Sequence, residues 1–127
     1  MSTDLTALQR LINLPPTVKQ GEWQTGKFAA HGGDWWVAAV LGVDAAQQAS
    51  LLQGPATREI FETPPGLALV SAFAALMALP EAQQFEPDRI RLVTDTHAVA
   101  AYAKSPLRNG QAISLSATSV LVLLWTN

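Results

Sequence analysis

Arg91-Leu92-Val93-Thr94-Asp95-Thr96-His97 changes character half-way along. Its first part is apolar and β-branched, the composition of a strand. Thr94-Asp95-Thr96 then offers short polar side chains of the kind that cap the unpartnered N–H groups at a helix start. A strand over Arg89–Thr94 is therefore expected to hand over at Asp95 or Thr96 to a helix that runs to about Lys104. Upstream, Thr63-Pro64-Pro65 suits a helix opening, because proline's fixed φ and missing N–H fit the first turn. The helix that follows, about Pro65 to Leu79, is apolar nearly all round (Leu67, Leu69, Val70, Phe73, Leu76, Met77 and five alanines) and should be covered on several sides. Pro80 stops it.

The remaining elements follow from the same signals. Leu5, Leu8, Leu11 and Ile12 share one face of a helix that Thr3 or Asp4 can cap and Pro15-Pro16 ends. Thr17 to Phe28, interrupted by Gly21 and Gly26, reads as an exposed strand or twisted hairpin. Trp35 to Val43 is expected to be a buried strand, and Asp44 to cap a short helix that Gly54-Pro55 terminates. Ala56 to Glu62 is a short strand, Glu81, Glu86 and Asp88 sit in a solvated loop, and Asn109-Gly110 turns the chain. Val120-Leu121-Val122-Leu123-Leu124-Trp125 does not alternate, so both faces of that strand should be covered. Strands alternating with helices give an α/β (or α+β) fold: one globular domain over 1–127, with a mixed β-sheet of about five strands and helices packed on it.

The alanine-rich helix, the strand after it and the Thr94-Asp95-Thr96 step resemble the ribonuclease H-like superfamily, over residues 65–104. In that family the aspartate of the strand-to-helix step binds a divalent metal, so the resemblance implies a ribonuclease H-like arrangement and a metal-dependent nuclease with Asp95 as a ligand. This sequence departs from the pattern elsewhere. Ala68 stands where the family's helix carries a glutamate, Glu22 is out of register with its first-strand aspartate, and its last carboxylate would fall beyond Asn127. Two-metal chemistry needs several carboxylates around ions roughly 4 Å apart.

Composition narrows the function further. The 127 residues contain no cysteine, which removes disulfides, thiolate zinc, iron–sulfur clusters and a cysteine nucleophile. A cysteine-free chain without a signal-type apolar core fits the cytoplasm. The longest apolar stretch has about 13 residues against the ~20 of a spanning helix, so no membrane span is expected. Eight Lys and Arg are scattered and the net charge is −2, which argues against nucleic acid as a partner. No phosphate-binding loop, dinucleotide turn or nucleophile elbow is present, and apart from that resemblance the residues imply no cofactor or resident metal. His31 and Asp34 flank two glycines in a turn, a spacing short of a zinc ligand set.

The candidate ligand-binding residues are Asp95 and His97, at the carboxyl end of a strand, with Trp35 and Trp36, which as strand neighbours point to opposite faces. Only 14% of residues are charged, leaving little polar surface to cover the domain. The leading expectation is a non-enzymatic interaction or oligomerisation domain that binds a protein partner or itself, with Val120–Trp125 as the pairing strand should it lie at an edge. A small-ligand pocket near Asp95 and His97 is a further alternative.

Overall fold

The computed structural model describes residues 2–28 and 33–126; the His31 position of the proposed turn lies outside them. The strands are β1 (Gln20–Lys27), β2 (Trp35–Gly42), β3 (Gln53–Glu62), β4 (Gln83–Glu86), β5 (Arg89–Ala98), β6 (Leu107–Ser116) and β7 (Ser119–Thr126). They pair in the order β1-β2-β7-β6-β5-β3, β4 joins β5, and every pairing is antiparallel. Among the described residues, helix is confined to α1 (Leu5–Leu8), α2 (Val70–Met77) and a 3-10 segment, Ala45–Leu51. The fold is thus mostly β, and the expected α/β sheet with packed helices, including its ribonuclease H-like arrangement, is not what the chain adopts.

The correction originates at Asp95. β5 runs through Thr94-Asp95-Thr96-His97 without a break, because the side chains of Asp95, Thr96 and His97 find partners on β3. Thr96, almost fully buried, donates its hydroxyl to a Glu59 carboxylate oxygen and to the Thr57 carbonyl. Asp95 lies 3.8 Å from the Arg58 guanidinium. Ile90, Leu92 and Thr96 turn inward while Arg91, Val93 and Asp95 turn out, the period-2 alternation of a half-buried strand. A helix would have broken both the alternation and these pairings.

A second correction concerns α2, which begins only at Val70. The Gln24 side chain of β1 donates to the Gly66 carbonyl at 2.8 Å and accepts from the Ala68 N–H at 2.7 Å. Held this way, the segment before α2 stays non-helical, with Leu67 and Leu69 buried and Gly66 at φ +82°. Asn109-Gly110 is likewise no turn; it lies within β6.

The sheet separates two apolar clusters. On one side Leu8, Ile12 and Leu51 pack on Val37, Val122 and Leu124; on the other Leu69 and Leu76, beside Ala72 of α2, cover Trp36, Leu121 and Leu123. β7 lies between β2 and β6, so both its edges are paired, and its side chains enter both clusters, so both its faces are covered by its own chain. Val120–Trp125 is an interior strand and not a pairing edge. Among the described residues, no helix is long and apolar enough to cross a membrane.

Tyr102 closes the first cluster. Fully buried, it donates its hydroxyl to the Leu51 carbonyl at 2.5 Å, and burial pushes the phenol up to about 12. The unfolded phenol titrates near 10. The stability that comes from the buried neutral phenol is therefore complete below about pH 10 and lost as pH rises from 10 towards 12. Tyr102→Phe is expected to cost about 1 kcal/mol at neutral pH and to flatten the alkaline decline. Urea unfolding at pH 7 and at pH 10.5 checks both; an equal decline in the variant would place its source elsewhere.

Candidate interaction surface

β3 stands at the end of the strand order and pairs with β5 on one side only. Its register is set by Arg58 opposite Asp95, Ile60 opposite Val93 and Glu62 opposite Arg91. Just beyond the strand the Thr63 N–H donates to the Ile90 carbonyl at 3.0 Å. Backbone polar groups alternate sides along an antiparallel strand, so Thr57, Glu59 and Phe61 address β5. Arg58, Ile60 and Glu62 turn their N–H and C=O groups outward. The Gln111 side chain confirms this parity, because it donates to the Ile60 carbonyl at 3.3 Å from β6. β3 therefore presents an unpaired edge, among the described residues, of the kind that accepts another strand.

The side chains along that edge form short rows. Arg91 reaches Glu62 at 2.8 Å, and Arg58 lies within 3.2 Å of Glu81 and 3.8 Å of Asp95. Between these charged rows sit Ile60, 61% exposed, and Val93, 39% exposed. Such cross-strand apolar pairs are the normal unit of sheet packing, and here the pair has solvent on its outer side. Residues 54–60 are all exposed. Beside the edge a cleft of about 530 Å³ is lined by Phe28, Ile60, Arg89, Gln111, Leu123 and Trp125, among others. Phe85 of β4 lies under both Arg89 and Arg91, 4.7 and 4.8 Å from ring centroid to guanidinium, which steadies the arginines at the far end of the row.

No protein-family model, characterised protein or solved structure matches the chain. The surface is therefore read from its own chemistry. The four residues singled out from sequence do not converge. Asp95 and His97 share the outward face of β5, about 7 Å apart along the strand, and His97 Nδ1 lies 3.3 Å from the Gly54 carbonyl oxygen. Trp35 and Trp36 lie in β2, which β7 and β6 separate from β5. Trp36 is fully buried, while Trp35 is half-buried against the opposite cluster. Asp34 accepts from the Thr126 hydroxyl at 3.2 Å. Among the described residues, no three metal-ligating side chains gather in a group.

Residues missed from sequence carry the surface: Arg58, Ile60 and Glu62. Their signal was the alternation Arg58-Glu59-Ile60-Phe61-Glu62, in which Phe61 is core and Ile60 is its outward neighbour. Only the strand order shows that this alternation runs along an edge.

Proposed function

We propose that this domain is a non-enzymatic protein-interaction or oligomerisation module that docks by adding a strand to the free edge of β3. The observation that carries the reading is the outward row Arg58, Ile60, Glu62, with Ile60 61% exposed beside Val93. Main-chain hydrogen bonds to these residues would supply binding, and the side chains would supply selectivity. In an antiparallel arrangement the incoming strand meets Glu62 first and Arg58 last. The complementary segment is then basic–x–apolar–x–acidic in its own direction, with the apolar residue on Ile60. The cysteine-free composition supports a reducing, cytoplasmic setting for it.

A short synthetic peptide of that pattern, titrated into isotopically labelled protein, tests the reading. Amide resonances of Arg58, Ile60 and Glu62 and the Trp125 indole resonance should shift first, and a peptide with its charges exchanged should bind about tenfold more weakly. Shifts that map to another surface, or equal binding of the two peptides, would contradict it.

A further inference from the structure

We infer that the strand β3 receives is the β3 of a second copy of this chain, antiparallel and centred on Ile60. The inference rests on the edge reading above and names its partner. The segment Arg58-Glu59-Ile60-Phe61-Glu62 is itself basic–x–apolar–x–acidic; this edge carries the sequence that complements it.

Backbone parity restricts how two such edges meet. Antiparallel pairing joins outward residues to outward residues, and a two-fold interface uses the same patch on both copies. Centring on Ile60 sets Ile60 against Ile60 of the second copy, and Arg58 against its Glu62 in both directions. Three closely bonded pairs give about six main-chain hydrogen bonds. The adjacent registers of the same parity set Arg58 or Glu62 against an isoleucine and forfeit the charge match. Gly54, at φ +68°, and Pro55, which has no N–H, confine the pairable part to the 57–62 half of β3.

The side-chain rows then extend across four strands. One charged row runs Asp95 and Arg58 from the first copy, then Glu62 and Arg91 from the second; two-fold symmetry repeats it in reverse on the other side of the centre. Signs alternate along both rows, so each charge meets an opposite one across the strands. The row between them is Val93, Ile60, Ile60, Val93, which covers the exposed apolar pair of each copy. Charges on an edge strand commonly protect it by repelling another edge, but a protecting set would repel its own copy, and this one attracts it. Gln111 gives up its 3.3 Å contact to the Ile60 carbonyl, and a main-chain N–H takes its place.

Sedimentation velocity with charge-reversed edges tests the inference. Wild-type protein should be a reversible dimer. Arg58→Glu and Glu62→Arg should each weaken self-association about 30-fold, because symmetry sets like charges opposite one another twice per dimer. An equimolar mixture of the two variants should associate as wild type does, an acidic edge meeting a basic one. Arg58 and Ile60 are exposed and Glu62 is half-exposed, and circular dichroism verifies that each variant is folded. A wild-type monomer at all concentrations, while the synthetic peptide still binds, would overturn the second copy and leave the edge reading standing. A dimer indifferent to both reversals and to Ile60→Lys would place the interface elsewhere and overturn the inference as well.

Discussion

Gly110→Ala is expected to lower the unfolding free energy by about 3 kcal/mol, a large effect for one methyl group. A Cβ built at this position would stand 2.1 Å from the Leu123 carbonyl oxygen and 2.8 Å from Leu124 Cδ2. A side-chain tip can swing aside, but the Leu123 carbonyl belongs to the backbone of β7, the strand on which both clusters rest. Either β6 moves away from β7 or the chain bends at a register already irregular between Leu107 and Asn109. Chemical denaturation gives the number directly. A loss under about 0.5 kcal/mol, the size of an ordinary surface change, would show that β6 and β7 do not approach this closely. Gly26 makes a milder comparison, since its Cβ would meet the Trp36 indole at 2.3 Å.

Leu124→Ala is expected to cost about 3–4 kcal/mol, within the range for large-to-small changes at fully buried sites. Leu124 is completely buried between the strands and the α1 side of the sheet, and the neighbouring backbone is fixed by pairing on both sides of β7. The cavity therefore has little means of collapse. Ile60→Ala, which removes the same amount of hydrocarbon from a site 61% exposed, should change monomer stability by less than about 0.5 kcal/mol. Measured together by urea unfolding, the two variants separate core from docking surface. Equal costs would mean that Ile60 is covered in the folded monomer.

Part of the first half was legible because its signals are local, although Asp44 makes no cap hydrogen bond and Gly54-Pro55 lies inside β3. Asp4 caps α1 through Oδ1 to the Ala7 N–H at 3.1 Å, and β2 lies where aromatic and β-branched residues cluster. The doubly covered β7 was also readable, from six apolar residues without alternation. Illegibility begins where the deciding partner lies far along the chain. Thr94-Asp95-Thr96 is chemically a good helix cap; what holds it in β5 are Thr57, Arg58 and Glu59, some 37 residues away. The helix expected from Pro65 loses its first turns to a clamp from Gln24, which no window around Pro65 contains. Asn109-Gly110 has the composition of a hairpin turn, yet the glycine serves close strand approach instead. β4 was read as a loop because Gln83-Gln84-Phe85-Glu86 is polar, and its apolar member packs on arginines from β5.

The candidate surface was half legible for the same reason. Asp95 was found, but as a cap or metal ligand, and its place in a row with Arg58 depends on a cross-strand register. Ile60 looked like an ordinary strand residue, and only an edge position makes its exposure informative.

The most direct test of strand addition at β3 is residue-resolved amide hydrogen exchange over a range of protein concentrations. Thr57, Glu59 and Phe61, whose N–H groups address β5, should be protected throughout. Arg58, Ile60 and Glu62 should exchange freely in dilute solution and slow as concentration rises, giving an every-other-residue pattern that a general stiffening cannot produce. Fast exchange at Ile60 at every concentration, with or without the peptide, would contradict docking on this edge.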